Sequence, residues 1–391
     1  MLNAIFFGEE TIMNDNSGIV VFGIGWLGQQ AVRFLKQSNR PIVAIWDDVT
    51  DKTEFLDVPV MRSDAFSLEK RKILQLLVAI ENCEHPYASL IKRLQDDKWG
   101  SVEPYLNFHW RELPSWLWMG SPNIHAGRER DMEQAALLWS DPASRELYYA
   151  CIKAQQDRNL LVLPPGTPLK RLKQPERFAV VLNSWAFHQI YSYFCEREVG
   201  RWSEPLRYLE CGAYDGSDLA GAEAAGYDIE AYAGLEPNPV NFSQITRVTR
   251  LVPGAQAFPL AASERTQQLR FHMDDLTGCV GKDGEVVQAV SIDDAFFNFR
   301  PSLITMDVEG QEAGALRGAR ETIRAHRPGL AVRVYHRPDD FYVLPMLVKE
   351  LTAGLGYRYY LRRFLNSMFD MTFYAVPKSC NQAPQGATAN P

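Results

Sequence analysis

The pattern of apolar and polar positions divides the chain into three stretches. Residues 18 to 66 read as a first α/β unit. Ile19 to Phe22 is an unbroken apolar run, the mark of a strand buried on both faces. Gln29 to Gln37 carries a helical period, and Pro41 to Trp46 is the next strand. A short strand near Val58-Pro59-Val60 completes a unit of two or three strands. From residue 67 to 160 helix-period runs take over, among them Leu68 to Ile80 and Met132 to Gln156, punctuated by Pro86, Pro104, Pro114 and Pro122. Asp141-Pro142 is a helix start with proline at the first helical position. Pro164-Pro165-Gly166-Thr167-Pro168 is the clearest linker signal.

From Phe178 to Pro377 strands and helices alternate again. Trp185 to Cys195 is a helix-like aromatic approach. Strands are expected at Arg207–Cys211, Ile229–Leu235, Gln256–Ala262, Leu269–Met273, Val286–Ile292, Ser302–Met306, Leu330–Tyr335, Tyr357–Phe364 and Met371–Val376. Helices are expected from Ser217, as N-cap, to Ala225, then at Asn241–Thr249, Glu312–His326 and Asp339–Leu355, with a polar loop at Asp274–Glu285. The expected fold is α/β. A small Rossmann-like domain (1–80) leads through a mainly helical connecting region (81–177) to a larger Rossmann-like domain (178–377), and the tail 378–391 reads as disordered.

Two glycine turns carry candidate chemistry. Gly23-Ile24-Gly25-Trp26-Leu27-Gly28 is a complete GxGxxG, and Asp47 and Asp48 end the next strand about 20 residues on. That fingerprint suits NAD or a nucleotide sugar. The few strands expected around it favour a structural or oligomerisation turn instead. The second turn lies in Tyr208 to Asn238, where a strand ends in Glu210, glycines follow at 212 and 216, and the next strand closes on Glu236. An acid in that place accepts hydrogen bonds from ribose hydroxyls. The turn lacks a full GxGxxG, so a ligand with ribose but no pyrophosphate fits, and S-adenosylmethionine is the common one.

The later strands close on Ser263/Glu264, Asp307 and His336, one polar group per strand end. Ligands of open α/β sheets sit at those ends. Methyl transfer to an alcohol needs the acceptor held in line with the sulfonium methyl and its proton removed. His336, with an ordinary pKa near neutral, is the candidate base, and Asp307 and Glu309 sit on the turn facing the methyl. A divalent metal on Asp307 and Glu309, with Asp293 and Asp294 as partners, is the lesser reading, so no metal ligand is assigned.

Bulk properties narrow the partners. The chain of 391 residues is 46% hydrophobic and 23% charged, with a net charge of -7. That charge argues against a nucleic-acid binder. Six cysteines lie without a CxxC pair, so neither a zinc ribbon nor a disulfide scaffold is suggested. The first residues lack the basic start of a signal peptide, and no apolar run approaches the roughly 18 residues of a membrane span. A cytoplasmic protein is expected. Four of the nine tryptophans fall between Trp99 and Trp118, where packing is the commoner use and stacking on sugar rings the rarer. Self-association is left open.

The runs LECGAYDGSD, GLEPNPVNF, LAASE, AVSIDD, LITMDVEGQEAGALRGARETI and VRVYHRPDDF resemble the FkbM-type S-adenosylmethionine-dependent methyltransferases over residues 180 to 377. The most specific piece is Asp307-Val308-Glu309-Gly310 with Leu316-Arg317-Gly318-Ala319. The resemblance implies a seven-stranded sheet with an antiparallel last strand. It implies S-adenosylmethionine contacts at Glu210, Gly212, Tyr214, Asp215, Ser217, Glu236, Asn238 and Ser263, to which the glycine turn adds Gly216, and a hydroxyl acceptor on a sugar, glycan or secondary metabolite. Glu210 stands where the family often has Asp, and the N-terminal half is additional to the minimal domain.

Overall fold

The computed structural model describes residues 18–81, 85–113, 120, 123–167, 176–179, 192–194, 199–273, 278–280 and 284–378. Trp116, Trp118, most of the approach at 185–195 and the tail beyond 378 lie outside them. The chain forms two compact units, Met1–Leu113 and Pro114–Pro391.

The first unit is a six-stranded sheet. Its strands are β1 (Ile19–Phe22), β2 (Ile42–Trp46), β3 (Glu54–Phe55), β4 (Val58–Met61), β5 (Gln75–Val78) and β6 (Ser101–Pro104), in the order β3-β4-β2-β1-β5-β6. All neighbours are parallel except β3 and β4. The sheet is therefore larger than the two or three strands expected, and it runs beyond residue 80. The miss has a physical cause. Leu76, Leu77 and Val78 are fully buried between β1 and β6. A strand covered on both faces has no alternation and cannot be told from a buried helix by its period. The run Leu68 to Ile80 is in fact a helix over Leu68–Ile73 followed by β5. Trp99 stacks on Trp46 and is buried, as is Trp110, so both serve packing.

In the second unit the helices Glu129–Ala136 and Pro142–Asp157 precede the main sheet. Asp141 caps the second, accepting from the Ser144 amide at 2.8 Å, and pairs with the buried Arg362. The proline-rich stretch is tied down: Arg363 donates to the Pro164 carbonyl, and the Thr167 amide donates to the Arg363 carbonyl at 2.7 Å.

The main sheet contains β7 (Leu206–Cys211), β8 (Ile229–Leu235) and β9 (Ala255–Phe258). A four-stranded sheet follows, of β10 (Ala261–Ala262), β11 (Gln267–Met273), β12 (Gly278–Val280) and β13 (Glu285–Val290). The main sheet then resumes with β14 (Leu303–Met306), β15 (Gly329–Arg333), β16 (Tyr357–Arg362) and β17 (Thr372–Pro377). Its seven strands run in the order β16-β17-β15-β14-β7-β8-β9. β17 is antiparallel to both neighbours, as the resemblance implied, and the other pairs are parallel. Strand order reverses between β7 and β14, which opens a crevice at their carboxyl ends. Tyr208, Tyr232, Leu303, Ala331 and Tyr374 build the core on one face, against Trp202 and Leu219. Each large side chain buried there contributes about 2 kcal/mol.

Three expected elements changed. The strand from Gln256 breaks at Pro259, which has no amide to continue the ladder, and Ala261–Ala262 crosses to pair with β13. The polar loop lies largely outside the described residues, apart from β12. The helix from Glu312 to His326 is two helices, Glu312–Arg317 and Arg320–His326. Between them the Gly318 carbonyl accepts from the Asp293 amide and the Ser291 hydroxyl, fixing the break.

Candidate active site

The crevice is built where three strand ends lock together. The amides of Gly212 and Ala213 donate to the Leu235 carbonyl at 2.9 and 3.0 Å, and the Asp307 amide donates to the Cys211 carbonyl at 2.9 Å. Gly212 has φ +78°, and a Cβ there would run into the carbonyl of Asp307. Glycine is required by conformation and by space. Two non-glycine residues flank the crevice in the left-handed region, Tyr214 (φ +46°) and Glu309 (φ +51°), one on the turn after each central strand. Each such residue costs about 1–3 kcal/mol and tends to occur where function fixes the backbone.

Glu236 ends β8 and is buried. Its carboxylate accepts from the amides of Tyr214 at 2.9 Å and Asn238 at 2.7 Å. Burial pushes its carboxyl up to about 7, against those two amides, which lower it. Each oxygen keeps acceptor capacity, so the group can receive two neighbouring hydroxyls. Asp215 accepts from the Ser217 amide at 3.0 Å. Asn238 caps the helix Pro239–Thr249, accepting from Val240 and Asn241. The helix Ser217–Ala224 is capped by Gly216 in the left-handed conformation (φ +86°), not by Ser217. Glu210 is 1% exposed and receives the Tyr232 hydroxyl. Burial, then the charge of Asp218, hold its carboxyl well above the usual range. It is thus an enclosed group behind the turn.

The other side is a cluster around His336. Its Nε2 lies 3.2 Å from Asp307 Oδ1 and 3.5 Å from Glu309 Oε2, and its Nδ1 lies 2.9 Å from Glu312 Oε1. Burial opposes a charge on the ring, but Glu312 and Asp307 outweigh it and raise its pKa well above the ordinary value. The ring therefore lies among three carboxylates, a setting different from the free imidazole on which its expected role as base rests. Burial likewise lifts Asp307, but His336 and Arg333 more than offset it and hold that carboxyl low. Burial pushes Glu309 up to about 7. Arg333 Nε stands 3.4 Å from Asp307, while its Nη1 pairs with Asp370 at 2.9 Å.

The structure thus gathers Gly212, Tyr214, Asp215, Gly216, Ser217, Glu236 and Asn238 on one side, and Asp307, Glu309 and His336 on the other. It does not bring Ser263 to the end of β9. The Ser263 amide donates to Val290 in the second sheet, and its hydroxyl accepts from Gln267. Nor do Asp293 and Asp294 serve as spare metal ligands. Asp293 accepts from the amides of Glu321 and Thr322, and Asp294 from Thr266. Sequence reasoning missed Glu312, 1% exposed beneath His336 and accepting from the Val308 amide at 2.9 Å. Its signal was present: an acid at the first helical position after the Asp307 turn. Half-buried Asp218 and buried Arg333 were missed as well.

At the first glycine motif, Asp47 Oδ2 accepts from the Ile24 amide at 3.0 Å. Its other oxygen accepts from Val49 and Thr50, and Asp48 accepts from Ser63 and the Trp46 indole. A Cβ on Gly28 would strike the Gly23 carbonyl, so this glycine closes the helix onto the strand.

This strand order, with the crevice at its reversal, is that of a Rossmann-type methyltransferase. Residues 210–359 match the methyltransferase FkbM domain, so the chain carries an FkbM methyltransferase domain, and S-adenosylmethionine is its cofactor. The chain is similar to the crystal structure of methyltransferase FkbM from Methylobacillus flagellatus KT, at 18% identity and TM-score 0.62, covering 92% of this chain and 90% of that one. That likeness shows the fold along most of the chain. Looser likenesses, both at TM-score 0.30, are Aeropyrum pernix fibrillarin with bound S-adenosyl-L-methionine (14% identity, 44% of this chain, 67% of that one) and precorrin-6y C5,15-methyltransferase from Geobacter metallireducens GS-15 (9%, 48% and 87%). No curated protein matches the chain. Among the described residues no helix is long and apolar enough to cross a membrane.

Proposed function

We propose that the enzyme transfers the methyl group of S-adenosylmethionine to a hydroxyl of a sugar, glycan or secondary metabolite. The observation that carries this reading is the carboxylate cluster of Asp307, Glu309 and Glu312 around His336, set beside the Gly212 turn. Alcohols need such a cluster more than neutral amines do, because the hydroxyl must lose its proton as the new bond forms. The acceptor oxygen attacks the methyl carbon, the carbon–sulfur bond breaks, and the sulfonium becomes a neutral thioether. Glu236 receives the ribose hydroxyls. The turn from Gly212 to Ser217 lines the cofactor, with Glu210 supporting it from behind. Glu309, at the cluster's edge and 37% exposed, takes the acceptor proton, while His336 and Asp307 hold the acceptor oxygen in line. The sugar context rests on the family resemblance.

Calorimetry with S-adenosylhomocysteine tests the cofactor side, where Glu236→Ala should cost at least tenfold in affinity. Unchanged affinity in that variant removes the assignment. The alternative, a NAD or nucleotide-sugar enzyme run by Gly23 to Gly28, has less support. The Ile24 amide that such a ligand's phosphates would meet is already given to Asp47.

A further inference from the structure

We propose that Asp307, Glu312 and His336 form a binding site for a divalent metal ion. Among the described residues these three are the one group of His, Cys, Asp or Glu whose ligand atoms all lie within 4.8 Å of one another. Acidic clusters are common without an ion, and the histidine is the second observation. The His336 side chain is 7% exposed. Carboxylate oxygens approach both ring nitrogens closely, yet none is aligned as a hydrogen-bond acceptor, so both nitrogens are buried without a directed partner. Buried polar atoms are rarely left in that state. A metal ligand differs from a hydrogen-bond donor here, because its lone pair is directed at an ion placed between the groups.

Charge points the same way. Asp307, Glu309 and Glu312 surround one imidazole. The nearest guanidinium, Arg333, reaches only Asp307 and shares its charge with Asp370. Arg337 donates to the Gly310 carbonyl instead. An ion of charge +2 balances this excess where the side chains do not. Carboxylates suit Mg²⁺ and Mn²⁺, and imidazole suits the later first-row ions. Two carboxylates with one imidazole therefore select a divalent ion of intermediate hardness, for which Mn²⁺ is the probe. Three protein ligands leave coordination positions open. The site lies on the acceptor side of the crevice. The metal's task, lowering the pKa of a bound acceptor hydroxyl, rests on the reading given above. Binding itself does not.

The experiment uses the full chain, stripped with EDTA and titrated with Mn²⁺ while electron paramagnetic resonance follows the free ion. Calorimetry with S-adenosylhomocysteine runs in parallel. One Mn²⁺ per chain is expected, with at least tenfold weaker binding in His336→Gln and in Glu312→Gln. A variant that does not fold is replaced by the wild type carrying ¹⁵N-histidine. Stoichiometric Mn²⁺ should then broaden the imidazole signals of one histidine among the seven. No stoichiometric binding, full retention in folded His336→Gln, or no selective broadening overturns the site. Mn²⁺ binding without S-adenosylhomocysteine binding leaves the metal site standing and removes the methyl-transfer reading. The reverse result removes the metal alone.

Discussion

Gly212 and Asp307 meet backbone to backbone at the reversal of the strand order. The space a Gly212 Cβ would need is filled by the Asp307 carbonyl, and Gly212 sits at φ +78°. The Gly212 turn and the Asp307 turn thereby pack backbone against backbone. Gly212→Ala should destabilise the fold by about 2 kcal/mol or more and lower S-adenosylhomocysteine affinity at least tenfold. Urea denaturation and calorimetry read the two effects. A variant of wild-type stability and affinity would show that the two turns are not coupled.

Cofactor affinity should depend on pH through Glu236. Its carboxyl is raised to about 7 in the free protein, so near neutrality part of the population is protonated. The protonated group accepts less well, and hydroxyls donated to the carboxylate lower its pKa. Affinity should therefore rise as pH goes from 6 to 8, with proton release on binding near pH 7. Calorimetry in buffers of different ionisation enthalpy measures that release, and it should vanish in Glu236→Gln. For stability the sign is opposite. A raised folded-state pKa means the protonated form is favoured on folding, so this group's contribution declines from about pH 4.5 to about pH 7.

Asp141→Ala should cost about 3 kcal/mol. The substitution removes the cap of the helix Pro142–Asp157 and leaves Arg362 buried without its carboxylate. Arg362 and Ser144 hold the Asp141 carboxyl low despite the opposing effect of burial. Its contribution is therefore present above the ordinary aspartate range and is lost as pH falls through the depressed value. Chemical denaturation at pH 7 and at pH 3 checks both points. A loss under about 1 kcal/mol at pH 7 would place the pair among weak surface contacts.

The first glycine motif should bind no NAD. Asp47 holds the Ile24 amide, so Asp47→Ala should lower the melting temperature of the first unit and create no dinucleotide affinity. Calorimetry with NAD on both proteins tests it, and binding to the wild type would reverse the assignment.

Most strands of the main sheet were legible because they end in distinct polar groups, whereas the cap Asn238-Pro239 was passed over and its helix expected only from Asn241. β5 was not legible, because total burial erases alternation. In the site, Glu236 and Asp307 were visible as strand-end acids. The state of His336 was not, because it depends on Glu312 lying beneath the ring, a contact between a helix start and a strand end. Ser263 misled because sequence order gives no sign that the chain changes sheets after Pro259.

The tie between Arg363 and residues 164–167 changes where the catalytic domain can be cut. An expression fragment starting at Phe178 would discard Asp141, Ser144 and Pro164, which accept from Arg362 and Arg363, and strip a capped helix from beneath β16. Such a fragment is a domain missing its own floor. A stretch that reads as a hinge between modules works as a splint within one, and protease should spare it while the protein is folded.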